Sequence, residues 1–377
     1  MALEFISTQE GLEALTSRLS GCTRVAIDLE AAGFHRYSDQ VCLLQMSTTA
    51  ESVVVDTLAL DPTPAIKPVL EDPACEVVVH GADYDIRLLD RDLGIAPNNL
   101  FDTQIAATLI GEPSIGLAAL LAKYLDVQVS KKHQRADWAM RPLTQDMLEY
   151  AASDTRHLFE LADLLGGRVE EAGRTEWVKE ECTAMEDLKW KAEEVDPVLR
   201  FKQKARGLDD RQIHRLRDAW NWRDALAQKR DRAPFRICGD PVLLEVATLR
   251  PRSVQELTAL KGMPFRLAEQ SGNELLGILD RVDALDESEL QGYPPRPAGG
   301  PGRPLPEEEE RADRLKRVRN EVSDAHGLQK GVILSNAALL VIARAKPSSL
   351  EELASVDGVR RWHLEVAGDA FLNVMDP

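Results

Sequence analysis

The chain has 377 residues, 44% hydrophobic and 29% charged, enough for two or three globular domains. No run approaches the ~18 apolar residues of a membrane span, and the first residues lack the basic start and apolar stretch of a signal peptide. The net charge of −17 argues against a nucleic-acid binder until it is divided. Residues 1–190 hold 16 Lys and Arg against 32 Asp and Glu, a net of −16; residues 191–377 hold 30 against 31, a net of −1. Within that second half, residues 200–236 carry 12 Lys and Arg against 5 Asp and Glu, a net of +7. An acidic half is therefore joined to a locally basic arm. The five cysteines are scattered, odd in number and never in a C-x-x-C pair. They argue for reduced cytoplasmic thiols and against a zinc site or a disulfide framework.

Residues 23–30 read as a strand ending in two acids, Asp28 and Glu30. Two positions apart on a strand, both point to one face. Adjacent carboxylates repel, and a divalent cation is the usual remedy. Residues 41–47 and 52–56 supply two more strands, so the three form an expected antiparallel meander. A short helix at 64–70 precedes a fourth strand at 76–80, apolar enough to be buried on both faces. It ends at His80 and runs into a strand-to-helix junction carrying Tyr84 and Asp85. Asp102 follows on or just after a short strand, and residues 115–125 form a helix. The stretch 131–142 is a basic loop bearing an aromatic ring, with Lys131, Lys132, His133, Arg135, Trp138 and Arg141. Residues 144–165 read as one amphipathic helix opened by a Thr144 cap. Leu148, Ala152, Thr155, Phe159 and Ala162 make its core stripe. Tyr150, Asp154 and His157 share a second stripe about a third of a turn away. A charged helix over 173–191 leads to Asp196-Pro197, the first boundary.

The remainder reads as all-helical. One helix starts at Asp240-Pro241, with Asp240 as the cap and Pro241 in the first helical position. Adding 96 to the numbers of this region finds it again. Pro251, Ser253, Glu256, Leu257 and Gly262 recur as Pro347, Ser349, Glu352, Leu353 and Gly358, and Arg223 recurs as Arg319. A constant offset without gaps argues for two copies of one helical module. The Pro- and Gly-rich residues between them cannot bury enough apolar surface to fold and form a linker.

Taken jointly, Asp28-x-Glu30 on a strand, Asp85 after His80, and Tyr150-x-x-x-Asp154 on a helix resemble the three exonuclease motifs of the DEDD superfamily, Tyr-containing branch. Phe101-Asp102-Thr103-Gln104 lies between them, and Gln134-x-x-Asp137-Trp138-x-x-Arg141-Pro142-Leu143 precedes the last. This order and spacing are similar to ribonuclease D over most of residues 1–190. Each helical copy resembles the HRDC module of ribonuclease D and RecQ-type helicases. The resemblance implies an α/β ribonuclease H-like exonuclease domain over 1–195, with a mixed sheet of about five or six strands. Two all-α HRDC-like domains follow at 196–290 and 307–377, joined by the linker at 291–306.

It also implies an activity: a 3′→5′ exoribonuclease that releases nucleoside 5′-monophosphates from RNA 3′ ends, such as those of tRNA precursors. Two Mg²⁺ ions are implied, with Mn²⁺ able to substitute. Asp28 would bridge both ions. Glu30 and Asp154 would complete the ion that holds the nucleophilic water, Asp85 would help hold the other, and Tyr150 would orient the water. Asp102 is expected to stand behind the ligands or to be a buried structural acid. His80 is expected in a supporting place, like His157. The chain departs from the family by carrying Ala31 and Ala32 where an aromatic residue commonly follows D-x-E. Phe34, Tyr37 and Tyr84 are the candidates to replace that ring. RNA contacts are expected from Phe34, Tyr84, Lys131, Lys132, Arg135, Trp138 and Arg141, and from Trp222 and Arg223 in the basic arm, where Trp220 and Phe235 also lie. Two other readings stay open. A DEDD centre does not itself separate ribose from deoxyribose, which leaves a DNA exonuclease. A non-catalytic RNA-binding scaffold would require a broken carboxylate set, whereas Asp28, Glu30, Asp85, Asp154 and Tyr150 are all present.

Overall fold

In the computed structural model, which describes residues 3–192, 195–295 and 302–375, the Val- and Leu-rich runs of the first half become strands. They are β1 (Leu3–Ile6), β2 (Arg24–Ala31), β3 (Val41–Ser47), β4 (Ser52–Asp56), β5 (Glu76–Val79) and β6 (Leu100–Asp102). Among the described residues they form one mixed sheet in the order β1-β4-β3-β2-β5-β6. The meander is β2-β3-β4, antiparallel throughout. β5 and β6 run parallel on its other side. The edge strand β1, too short for its alternation to show in the sequence, lies parallel to β4.

Helices α1 (Gln9–Leu19), α2 (Thr63–Leu70), α3 (Asp83–Leu88), α4 (Thr103–Leu109), α5 (Leu117–Leu125), α6 (Gln145–Arg156), α7 (Leu158–Glu171) and α8 (Thr175–Glu186) surround the sheet. Val25, Ile27 and Leu29 of β2 join Leu12, Leu15, Ile66 and Ile86 in one core. Ala26, pointing the other way, packs with Leu158 and Ala162 of α7. Asp28 and Glu30 share that second face.

The helix expected over 144–165 is two helices, broken at His157, whose backbone (φ −112°, ψ 8°) leaves the helical region. No Gly or Pro marks the break. Its cause is packing: α6 lies on β2, β3 and β4, whereas α7 lies on β5, α4, α5 and α8. One straight helix could not serve both.

The first helical copy consists of α9 (Asp210–Lys229), α10 (Pro234–Ile237), α11 (Asp240–Leu249), α12 (Val254–Ala259) and α13 (Phe265–Asp283). The second consists of α14 (Pro306–Ala325), α15 (Asn336–Ala345), α16 (Leu350–Ala354), α17 (Arg361–His363) and α18 (Asp369–Leu372). Equivalent residues make equivalent contacts. Arg223 Nη1 donates to the Cys238 carbonyl at 3.1 Å and to Asp240 at 2.6 Å. Arg319 Nη1 donates to the Leu334 carbonyl at 2.8 Å and to Asn336 at 2.9 Å. Asp240 is therefore not a cap: Gly239 takes that position and the Asp240 carboxylate faces Arg223. Of the linker at 291–306, residues 296–301 lie outside the described residues.

The two copies dock differently. The first keeps a core of its own. The core of the second runs on into that of the sheet domain, so Leu315, Ile333, Trp362 and Phe371 belong with Leu109, Val178 and Cys182. Trp362 stacks on Trp177 with centroids 4.8 Å apart and an interplanar angle of 20°. The backbones also approach closely: a Cβ on Gly111, which has φ +84°, would lie 2.3 Å from the Gly327 carbonyl oxygen. The sheet domain is thus not closed without the C-terminal copy.

Candidate active site

Strand alternation carries Asp28 and Glu30 to the face covered by α6, with Asp28 opposite Gln45 of β3 and Glu30 opposite Leu43. α6 brings Tyr150 and Asp154 to the same place, one turn apart. Its start is capped by Thr144, which accepts from the Met147 amide at 3.3 Å. Its end is tied to β3, where Thr155 and Ser47 share a hydrogen bond of 2.8 Å. Asp85 enters from the first turn of α3. Asp102 holds the turn before that helix: its carboxylate accepts from the amides of Gly81 at 2.9 Å and Ala82 at 3.0 Å. It also accepts from the Gln104 amide at 2.7 Å, capping α4. Gly81 has φ +67°, and a Cβ there would meet the Gln104 side chain at 2.9 Å, so the turn requires glycine.

Asp28, His80, Tyr150 and Asp154 line one cleft of about 340 Å³, together with Lys131 and Gln134. Burial is the first cause that raises each carboxylate's pKa, and for Glu30, Asp85 and Asp154 neighbouring carboxylates come next. Asp28 rises to about 6, opposed by the Leu29 amide. Asp154 rises to about 8 through burial and Asp28. Glu30 rises to about 10 through burial, then Asp28, Asp154 and Asp85. Asp85 is raised well above its ordinary value by burial, Asp28 and Asp102. No basic side chain among the described residues offsets these shifts. Among the described residues no three His, Cys, Asp or Glu side chains already hold the spacing of a metal cage. Four carboxylates without a basic partner are a donor set suited to hard divalent ions.

The surroundings favour order in this cleft. Tyr150 is flanked by the His133 ring at 5.9 Å and the Trp138 ring at 6.0 Å. His80 Nδ1 bonds Thr103 at 2.8 Å, and burial pushes the imidazole pKa down, favouring the neutral ring. Gln45 was not among the expected site residues. It is fully buried opposite Asp28, and neither side-chain amide atom has a hydrogen-bond partner. Its sequence signal is a lone amide in an otherwise apolar strand.

Several expected RNA contacts are structural instead. Trp138 is 2% exposed and packs among Met147, Leu148 and Tyr150, so it cannot stack on a base. Arg141 holds Asp56 through two bonds of 2.6 and 2.5 Å and the Trp138 carbonyl at 2.7 Å, which ties the basic loop to β4. Trp222 and Arg223 are each 4% exposed, inside the first helical copy. Part of the basic arm is spent in the same way, Arg215 pairing with Asp283 and Arg217 with Asp196, whereas Arg200, Lys202, Lys204, Arg206, Lys229 and Arg232 are exposed. Tyr37 is bonded to Asp224 at 2.8 Å, so it cannot serve as the missing ring. Phe34, Tyr84, Lys131, Lys132 and Arg135 are exposed, although Lys132 pairs with Asp146 at 3.0 Å and Tyr84 bonds Asp39.

The raised carboxylate pKa values define a pH dependence. Acids whose pKa rises on folding keep protons that the unfolded chain has lost. Metal-free stability is then full below about pH 4 and falls as pH rises through the folded-state values of about 6 and about 8. Mg²⁺ binds the ionised form, so it should raise the thermal midpoint more at pH 8 than at pH 5.5. Equal shifts at both pH values, followed by circular dichroism, would count against the carboxylate site.

A mixed sheet with an acidic cleft, followed by two copies of a helical module, defines a nuclease with appended helical domains. The 3'-5' exonuclease family model matches residues 3–170, and the HRDC domain model matches 212–279 and 308–375. The chain is 31% identical over 376 residues to ribonuclease D of Gluconacetobacter diazotrophicus, covering 98% of this chain and 92% of that one. It is 34% identical over 266 residues to the exosome complex component 10 homolog of Drosophila melanogaster, covering 68% of this chain but 29% of that protein's length. The crystal structure of Escherichia coli RNase D, an exoribonuclease involved in structured RNA processing, aligns with a TM-score of 0.71 at 25% identity, covering 100% of this chain and 99% of that one. The chain belongs to the ribonuclease D family of 3′–5′ exoribonucleases. No helix among the described residues is long and apolar enough to cross a membrane.

Proposed function

We propose that this exoribonuclease trims the 3′ ends of structured RNAs such as tRNA precursors, releasing nucleoside 5′-monophosphates. One observation carries the reading: three separated chain segments supply Asp28, Glu30, Asp85 and Asp154, all raised in pKa by burial, with Asp28 raising the other three and no basic partner among the described residues. When bound, two Mg²⁺ ions, or Mn²⁺ in their place, would activate a water and neutralise charge on the attacking and leaving oxygens. Asp28 would hold both ions, Glu30 and Asp154 the one beside the water, and Asp85 the other. Burial and the Asp154 charge push the Tyr150 hydroxyl pKa further up. It would orient the water by hydrogen bonding and would be a poor base unless the metal assists. Asp102 and His80 support the set, Asp102 by fixing the turn into α3.

A gel of 3′-tailed RNA and matched DNA, with Mg²⁺ or EDTA, tests the proposal. The expected result is laddering of RNA in Mg²⁺ and none in EDTA. Faster loss of DNA would favour a DNA exonuclease, and no cleavage of either would favour a binding scaffold.

A further inference from the structure

The loop after β2 meets the first HRDC domain through two aromatic rings. The centroids of Phe34 and Phe235 are 5.4 Å apart, with planes inclined at 54°. The Arg236 guanidinium lies 4.8 Å and that of Arg135 5.5 Å from the Phe34 centroid. Other bonds fasten the two domains. The Ala233 amide donates to the His35 carbonyl at 3.1 Å, Tyr37 donates to Asp224 at 2.8 Å, and Arg36 pairs with Asp231 at 3.3 Å. With the domains docked, Phe34 remains 38% and Phe235 52% exposed. Two phenylalanines this exposed are not needed for packing. They are also tied in sequence to residues of the site: Gln134 lines the cleft and Arg135 is the next residue, while Phe34 follows Glu30 by four residues.

We infer that Phe34 and Phe235, with Arg135 and Arg236, form a cross-domain platform for the single-stranded nucleotides just 5′ of the bond being cut. The inference rests on the exoribonuclease reading. The terminal nucleotide occupies the carboxylate cleft, so whatever passes its rim is upstream. Ring faces accept any base, and guanidinium groups both stack on bases and meet phosphates. An enzyme that removes successive residues needs this tolerance of sequence. The platform also supplies local positive charge to a domain whose net charge would repel RNA. The first HRDC domain thereby contributes to the substrate path.

The test uses the full chain carrying Asp154→Asn, so that RNA stays uncut, and single-stranded RNA with 2-aminopurine at each position from the 3′ end in turn. Binding should quench fluorescence at one or two positions upstream of the terminal base. Adding Phe235→Ala should abolish that quenching and raise Kd about tenfold or more, and Phe235→Trp should restore both. Unchanged quenching and Kd in Phe235→Ala would overturn the platform. The position scan needs no change at Phe235, and absence of upstream quenching would overturn the platform by itself. If the parent chain left the same RNA uncut in Mg²⁺, the exonuclease reading would fail instead.

Discussion

Asp28→Asn should reduce hydrolysis by on the order of 10³-fold or more, because Asp28 is the carboxylate nearest to all the others in charge effect and would hold both ions. The fold should survive. Asp28 makes no ion pair among the described residues, and replacing it with a neutral side chain removes a source of repulsion from Glu30, Asp85 and Asp154. Metal-free Asp28→Asn is therefore expected to melt no lower than the parent chain. Asp154→Asn should behave alike. Tyr150→Phe is the contrast: it keeps the ring between His133 and Trp138 and removes only the hydroxyl that orients the water. A loss of about 10- to 10³-fold is expected, with RNA affinity barely changed. Single-turnover rates and filter binding separate these cases. Near-parental rates for Asp28→Asn in Mg²⁺ would refute the ligand assignment, and an affinity loss in Tyr150→Phe matching its rate loss would make Tyr150 a substrate contact.

Trp362→Ala should have the largest effect on stability. Trp362 is 2% exposed, stacks on Trp177 and donates from Nε1 to Glu181 at 2.8 Å. The backbone amides of Arg361 and Trp362 donate to Glu180 at 2.6 and 3.1 Å. Truncating a buried tryptophan costs about 3–5 kcal/mol. Because the C-terminal module shares its core with the sheet domain, the loss should appear as one earlier transition in which RNA cleavage disappears together with helical signal. Two separated transitions, with cleavage surviving the first, would show that this module is merely appended. By the same continuity, cutting the chain after the exonuclease domain expected over residues 1–195 should uncover Trp177 and the apolar surface around Leu109 and Val178. A lower melting temperature for that fragment is expected even where it retains cleavage of short RNA.

Features that obey short periods were legible in the amino-acid order alone. Asp28 and Glu30 were legible because acids two apart in an apolar strand must share a face. Tyr150 and Asp154 were legible because four residues make about one helical turn. The constant offset of 96 exposed the repeat, and the paired clamps of Arg223 and Arg319 show that the copies are built alike. Which charged and aromatic side chains are free to meet a ligand depends on how distant segments pack. Trp138, Arg141, Trp222 and Arg223 have the composition of an RNA-binding surface, yet carbonyls and carboxylates from distant segments claim the arginines and apolar neighbours enclose the rings. Phe34 and Phe235 show no local pattern, and their meeting depends on how the first helical module docks. The break at His157 has the same origin, since the two halves of that segment follow different neighbours. Local periodicity reports which residues can share a face; the partner that covers the face comes from elsewhere in the chain, and its position is a property of packing.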